Sequence, residues 1–258
     1  MNSSSAFSAV LSAHSALRTG RKHSTRSPQS PDAESTEMLI KTFVLTPFQQ
    51  NTRVVSCERT RRAICIDPGE ASPEVAEYIR ENDLELQAIV VTHGHLDHCG
   101  GVAALKAEFP DAEVLLHRDE MYLYEKLKHQ PLAMGIMPDQ ARAMGLDYED
   151  PPEPTRFLAD GEMLEVGDLK FLVRHVPGHT LGHIVLAEQD EKAVFTGDCL
   201  FSGSIGRTDL PGGNYDQLLT SIKDKVLTLG DDYTVYCGHG PETTIGRERT
   251  MNPFLTGV

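Results

Sequence analysis

From residue 38 onward, short runs of β-branched and aliphatic residues recur along the chain, and turn-forming residues separate them. Residues 39–45, 53–57 and 63–66 are bounded by Pro, Asn and Gly, a pattern typical of strands. Residues 73–82 have the apolar spacing of a helix, with Pro at its first position. The unbroken apolar run at 88–91 predicts a strand buried on both faces.

The rest of the chain repeats this style. We predict further strands and helices from the same periodicities. The strands are 114–117, 162–166, 169–176, 183–187, 193–196 and 234–237, and the helices are 100–109, 119–128, 215–227 and 242–249. The two halves are similar, and strands and helices alternate only in part. This order predicts an α/β fold in which two mixed sheets are flanked by helices, a four-layer αβ/βα sandwich.

Residues 1–37 differ in composition from everything that follows. They contain many serines and several Arg and Lys side chains, with no acidic residue before Asp32. Such a composition is typical of a disordered tail, and an organellar targeting segment shares it. We therefore predict a disordered or targeting tail at 1–37 and a globular domain at 38–258.

Charge and cysteine usage exclude several classes of protein. The net charge is −14, and no cluster of Lys and Arg is present that would bind nucleic acid or an anionic membrane. No apolar run approaches the roughly 18 residues that span a bilayer. The five cysteines are scattered, without a Cys-x-x-Cys pair, so we expect no disulfide framework and a cytoplasmic location, with organellar targeting still open.

A dense group of metal-binding side chains follows the predicted buried strand at 88–91. The segment reads Thr92-His93-Gly94-His95-Leu96-Asp97-His98. Open α/β folds usually place their sites at the carboxyl ends of strands. Alternate residues of a turn can point the same way, so His93 and His95 can bind one ion while Asp97 and His98 face a second. Imidazole and carboxylate ligands suit zinc, iron or manganese.

Three later residues, each at a predicted strand end, add to this group. His179 lies in Pro177-Gly178-His179-Thr180-Leu181-Gly182-His183, Asp198 in Thr196-Gly197-Asp198, and His239 in Cys237-Gly238-His239-Gly240-Pro241. The glycines permit tight turns and close backbone approach, which aim a side chain into a cleft. Together the three residues supply the ligands that the first motif lacks.

These motifs resemble those of the metallo-β-lactamase superfamily, and most of all its glyoxalase II (hydroxyacylglutathione hydrolase-like) branch. The resemblance covers about residues 38–255 and implies that the sandwich is the metallo-β-lactamase fold. It also implies a binuclear metal centre with seven ligands. The first ion is held by His93, His95 and His179, the second by Asp97, His98 and His239, and Asp198 bridges the two.

The chemistry that the resemblance implies is thioester hydrolysis. Two divalent ions about 3.5–4 Å apart can share a hydroxide and lower its pKa into the neutral range. That hydroxide would attack the thioester carbonyl, and the thiolate would leave without a strong general acid. Asp97 and Asp198 are then the catalytic residues, with Asp97 orienting the hydroxide. Zinc is the expected metal, with iron or manganese as alternatives.

The expected substrate is a small glutathione thioester such as S-lactoylglutathione. Glyoxalase II enzymes place a basic residue nine positions after the bridging Asp, where it meets the glutathione carboxylate, and Arg207 stands at this spacing from Asp198. An ion pair of Arg207 with Asp209 or Asp216 is the competing interpretation. The sequence resembles the short subgroup of the family, which lacks the C-terminal helical domain and its further basic contacts to glutathione.

Two other activities stay open at this point. Persulfide dioxygenases share the fold and act on glutathione persulfide, but hold one iron on two His and one Asp. A hydrolase of another ester or a lactam would use the same metal centre. The sequence does not predict the oligomeric state.

Overall fold

The structure, a computed structural model, describes residues 37–256. The tail predicted at 1–37 thus lies outside the described residues except for its last residue, and the division of the chain at residue 38 stays a prediction.

The first sheet contains six strands in sequential order. They are β1 (Met38–Leu45), β2 (Gln50–Cys57), β3 (Arg62–Ile66), β4 (Glu85–Val90), β5 (Glu113–His117) and β6 (Arg156–Leu158). The first three strands pair antiparallel, and β3 to β6 are parallel. Strands β3 and β4 are almost wholly buried along their inner residues, which is why their sequences read as continuous apolar runs.

The second sheet also has six strands, in the order β14-β13-β10-β9-β8-β7. They are β7 (Met163–Val166), β8 (Leu169–His175), β9 (Ile184–Glu188), β10 (Ala193–Gly197), β13 (Thr234–Cys237) and β14 (Thr243–Thr244). Only β10 and β13 pair in parallel. A small hairpin of β11 (Leu200–Phe201) and β12 (Ser204–Ile205) lies between β10 and β13 in the chain.

Helices and helical turns connect the strands. The α-helices are α1 (Pro73–Glu81), α2 (Leu96–Cys99), α3 (Val102–Glu108), α4 (Met121–Tyr124), α5 (Gln130–Ala133), α6 (Pro138–Ala143), α7 (Tyr215–Ser221) and α8 (Ile245–Met251). Two 3-10 turns, Arg118–Glu120 and Leu127–His129, flank α4, and a π-helical turn, Ile222–Val226, continues α7.

Three buried apolar clusters give the four layers. The middle cluster joins the two sheets through residues such as Leu115 and Phe171. The outer clusters pack α1 and α3 on the first sheet, as with Ile79 and Leu116, and α7 and α8 on the second, as with Leu218. Because neighbouring residues of a strand face opposite sides, Leu115 and Leu116 belong to different clusters. The predicted αβ/βα sandwich of two mixed sheets is confirmed.

Two predicted helices are different in the structure. The run at 119–128 is a 3-10 turn, a single turn of α-helix and a second 3-10 turn. Its polar residue Glu120 turns inward and bonds one loop of each sheet, through Gly94 in the first and Gly182 in the second. The last helix begins at Ile245 rather than residue 242, because Thr243–Thr244 pairs with β13 and the Thr244 hydroxyl caps the amide of Arg247.

No helix among residues 37–256 is long and apolar enough to cross a membrane. All five cysteines are buried and unpaired, as expected from their spacing.

Candidate metal centre

The seven predicted ligands come together at one edge of the sandwich. The loop after β4 carries His93 and His95, and the helical turn α2 that follows carries Asp97 and His98. The loops after β8, β10 and β13 carry His179, Asp198 and His239. Strands β8, β10 and β13 end at the same edge of the second sheet because they run in the same direction. Loops of both sheets thus meet over the seam between them.

Three histidines converge on one point, and we call His93, His95 and His179 the three-histidine cluster. The Nε2 atom of His179 lies 3.2 Å from Nε2 of His93 and 3.0 Å from Nδ1 of His95. Three neutral imidazoles cannot all hydrogen-bond to one another at a single point, because each contact needs one donor and one acceptor. One divalent ion would accept all three lone pairs, so the cluster fits a metal.

Burial keeps this cluster uncharged. It lowers the pKa of His93 well below its ordinary value and that of His95 to about 3, and the neighbouring imidazoles act in the same direction. The pKa of His179 is also lowered, mainly by burial. Neutral imidazole is the form that binds metal ions, so the cluster holds its ligands in the required state at neutral pH.

A second group, the mixed cluster, consists of Asp97, His98 and His239. The Nε2 atom of His239 lies 3.2 Å from Oδ2 of Asp97 and 3.3 Å from Nε2 of His98. Carboxylate and imidazole at these separations suit a divalent ion.

Negative charge dominates the mixed cluster. Burial acts to lower the pKa of His98, but the carboxylates of Asp198, Asp97 and Asp67 raise it well above its ordinary value. Burial likewise acts to raise the pKa of Asp97, and His98 and His239 hold it below its ordinary range. The negative charge of these carboxylates thus favours a cation at this point, and a bound dication would be stabilised in the same way.

Asp198 lies between the two clusters. Its Oδ1 atom is 3.2 Å from Nε2 of His98, and its Oδ2 atom is 3.5 Å from His239 Nε2 and 3.9 Å from His179 Nε2. Burial alone would raise the pKa of this carboxyl, but His98 and the other imidazoles hold it well below its ordinary value. A permanently ionised carboxylate therefore faces both candidate metal positions.

Hydrogen bonds to backbone carbonyls decide which ring nitrogen of His179 and of His239 faces the centre. The Nδ1 atom of His179 donates to the Arg207 carbonyl (2.8 Å), and that of His239 donates to the Phe48 carbonyl (3.0 Å). Carbonyl oxygens only accept, so both rings carry the proton on Nδ1 and present Nε2 to the centre.

Asp67 orients two more histidines. One of its oxygens accepts from Nδ1 of His98 at 2.9 Å and from the Thr92 hydroxyl at 2.7 Å. That hydroxyl lies 3.1 Å from Nδ1 of His93. Asp67 follows β3, where the sequence predicts a turn whose aspartate can also support the metal ligands, and the structure shows this supporting contact. Its only sequence signal is an Asp-Pro-Gly turn after a buried strand.

Comparison with known proteins adds the family. The model of the "Metallo-beta-lactamase superfamily" matches residues 45–239, more than half of the chain. The chain belongs to the metallo-beta-lactamase superfamily. It is a metallo-hydrolase of this superfamily, as the resemblance implied.

Relatives within the superfamily align with almost their whole length. Hydroxyacylglutathione hydrolase GloC of Haemophilus influenzae is 41% identical over 84% of this chain and 98% of its own. The crystal structure of BLEG-1 B3 metallo-beta-lactamase has a TM-score of 0.74 at 36% identity and covers 85% of this chain and 100% of its own. The di-iron-bound form of TTHA1623 has a TM-score of 0.72 at 36% identity, covering 83% and 100%.

The centre opens into a cavity of about 270 Å³. Arg207 is the single Lys or Arg among the described residues that line it, beside apolar side chains such as Phe48 and Leu210. The Arg207 guanidinium makes two 2.8 Å hydrogen bonds to the carboxylate of Asp209. The structure therefore shows the ion pair of the competing interpretation, at a place where the side chain also borders the cavity.

Residues near the centre that do not point into it have other contacts. His183 accepts from the Asp198 amide at 3.1 Å and stacks on His93. Cys199 packs in the core under the second sheet, and burial raises its pKa, so the thiol stays neutral. His117 and His175 stack face to face, with centroids 4.1 Å apart and planes at 12°. In stacked rings the nitrogen lone pairs lie in two parallel planes and do not converge on one point, so we assign no ion to this pair.

Proposed function

We propose that the chain hydrolyses glutathione thioesters, with S-lactoylglutathione as the first substrate to test, and that it uses two divalent ions of which zinc is the expected one. The observation that carries this proposal is the cavity, in which both ligand clusters and one arginine face the same space. The relative named hydroxyacylglutathione hydrolase supports the substrate class. We also propose that the protein acts in the cytoplasm, since its buried cysteines are unpaired.

The proposed roles follow from the geometry. His93, His95 and His179 would hold one ion, Asp97, His98 and His239 the other, and Asp198 would bridge them. Ions bound there supply Lewis acidity and activate water at neutral pH. Asp97, as a fixed anion at the cavity wall, can accept a hydrogen bond from that water and orient it. Arg207 would bind a carboxylate of the thiol portion.

The test combines metal analysis and activity on one preparation of the full chain. We expect close to two divalent ions per chain, hydrolysis of S-lactoylglutathione, and loss of both after chelation with recovery on adding zinc. A protein that cleaves a cephalosporin and leaves the thioester intact would replace the thioesterase by a lactamase, the activity that the likeness to BLEG-1 favours. One iron per chain, with oxygen uptake on glutathione persulfide, would instead indicate the dioxygenase.

The ion pair of Arg207 and Asp209 predicts opposite effects of two substitutions on substrate binding. Arg207→Gln should raise the KM for S-lactoylglutathione about tenfold, because the carboxylate loses its cation. Asp209→Asn should lower the KM a few-fold, because an exposed pair is weak and its loss frees the guanidinium. Neither should change kcat much, since Arg207 meets the thiol portion rather than the reacting carbonyl. Steady-state kinetics measure both, with exposed Asp216→Asn as the control.

A different result would assign the pair to the structure of the loop. If Asp209→Asn raised the KM as Arg207→Gln does, the pair would be holding the segment after β12 in place, and Arg207 would have no direct part in binding.

A further inference from the structure

Glu120 is a buried carboxylate that the chemistry proposed above does not use. It ends the 3-10 turn after β5 and has no exposed surface. A buried carboxylate is costly unless donors satisfy it, and Glu120 has three. Its Oε2 atom accepts from the Gly94 amide at 2.7 Å, and its Oε1 atom accepts from the Gly182 amide at 2.6 Å and the Thr180 hydroxyl at 2.5 Å.

The donors stand beside the ligands of one cluster only. Gly94 lies between His93 and His95, and Thr180 follows His179. One carboxylate thus ties the loop after β4, in the first sheet, to the loop after β8, in the second. None of the three donors borders a residue of the mixed cluster.

The close approach of the Glu120 segment also explains why glycine stands at Gly94 and Gly182. A Cβ on Gly182 would lie 2.7 Å from the Glu120 amide nitrogen and 3.0 Å from its Cγ. A Cβ on Gly94 would lie 2.9 Å from Cβ of Leu123 and 3.1 Å from Oε2 of Glu120. The segment that carries Glu120 therefore sits against both loops at a distance that excludes any side chain there.

We propose that Glu120 is a positioning residue for the three-histidine cluster. By holding the loop of His93 and His95 at a set distance from the loop of His179, it keeps three nitrogen lone pairs converged, an arrangement that their mutual repulsion opposes. The cluster is then ready for its ion before the ion arrives, which raises metal affinity. The proposal rests on the metal centre of the proposed function and not on the thioester substrate.

Asn51 provides a matched counterpart on the mixed cluster. Its side-chain amide donates to the Cys237 carbonyl at 3.0 Å and to the Gly240 carbonyl at 2.9 Å, on either side of His239. A substitution at Asn51 should therefore act on the mixed cluster, as one at Glu120 acts on the three-histidine cluster.

The experiment measures Co²⁺ affinity of the full chain, by competition with a chromophoric chelator, in two backgrounds. His239→Ala weakens the mixed cluster and leaves the three-histidine cluster to be titrated, and His95→Ala does the reverse. Glu120→Gln is added to each. The glutamine amide keeps the shape of the carboxylate. Its NH2 group, however, is itself a donor and must face either the Gly94 N–H or the Gly182 N–H, so one hydrogen bond is replaced by a repulsive contact.

We expect Glu120→Gln to weaken Co²⁺ binding about 10–100-fold in the His239→Ala background. In the His95→Ala background, Glu120→Gln should change the Co²⁺ affinity by less than about threefold. Asn51→Ala should do the reverse, weakening Co²⁺ binding in the His95→Ala background and leaving it nearly unchanged in the His239→Ala background. The visible spectrum of bound Co²⁺ should change with Glu120→Gln only where the three-histidine cluster is filled. Exposed Glu125→Gln, on the same segment, should have no effect.

Two results would overturn the proposal. Equal Co²⁺ affinity with and without Glu120→Gln would mean that the two loops keep their positions without Glu120. Equal losses of Co²⁺ affinity in both backgrounds would mean that Glu120 only stabilises the fold. If Glu120→Gln does not fold, Thr180→Val, which removes one donor, takes its place with a smaller loss of the same selectivity. Because no substrate is used, inactivity toward S-lactoylglutathione would refute the proposed substrate and leave this result standing.

Discussion

Asp198→Asn is expected to lower kcat/KM by about a thousandfold, a loss of ~4 kcal/mol in transition-state stabilisation, and to weaken both metal ions together. Asp198 is a carboxylate that faces both clusters, with oxygens 3.2 Å from Nε2 of His98 and 3.9 Å from Nε2 of His179. An amide removes the charge and brings an NH2 group toward nitrogens that must accept a metal. Metal content after dialysis and turnover, measured on the same sample, test this.

The matched control is Asp190→Asn, which changes an exposed aspartate in the turn between β9 and β10. It should retain both metals and full activity. If Asp198→Asn also kept its metals and turnover, Asp198 would have no bridging role. If it lost one ion only, Asp198 would belong to a single cluster, and the two-ion centre would need to be reassigned.

Gly238→Ala should be nearly as damaging, although the residue carries no functional group. A Cβ there would overlap Oδ1 of Asp198 and lie 2.8 Å from Cε1 of His98. The backbone of Gly238 is held in place by two hydrogen bonds. Its N–H donates to the Gly197 carbonyl at 2.8 Å, and its carbonyl accepts from the backbone N–H of Asn51 at 2.7 Å. The side chains of Asp198 and His98 must move instead.

We expect Gly238→Ala to lower kcat/KM at least a hundredfold, because a shift of about 1 Å in the reacting geometry has effects of this size, and to weaken metal binding. Thermal unfolding should remain cooperative, since the clash is confined to the centre. Gly240→Asn is the control: φ is +71° there and a side chain meets nothing within 4 Å, and Asn tolerates this conformation. A fully active Gly238→Ala enzyme would show that the centre is looser than the structure indicates.

The sandwich was predictable because its signals are local. The alternation and apolar runs of β1 to β5 follow from which faces are buried, and each run is short enough to be recognised without its partners. The predictions were wrong at 119–128 and at 242–244, where contacts from outside the segment decide the conformation. Glu120 bonds to loops 26 and 62 residues away, and Thr243–Thr244 pairs with β13.

The roles around the ligands were harder to predict. Asp67, Asn51 and Glu120 hold ligand loops through hydrogen bonds, and each lies in an ordinary sequence context. Arg207 shows the limit most clearly, because its spacing from Asp198 is compatible with a substrate contact and with an ion pair. The structure shows the ion pair to Asp209 together with a position on the cavity wall.

By itself, the sequence determined the layers and the set of candidate metal ligands, because strand periodicity and ligand chemistry are properties of short segments. Only the tertiary structure decided how closely those side chains approach one another, which nitrogen each ring presents, and which buried groups hold the loops. These depend on contacts between loops that are far apart in the sequence, such as those of Glu120 with Gly94 and Gly182. A chain encodes such contacts only through the fold that brings its distant parts together.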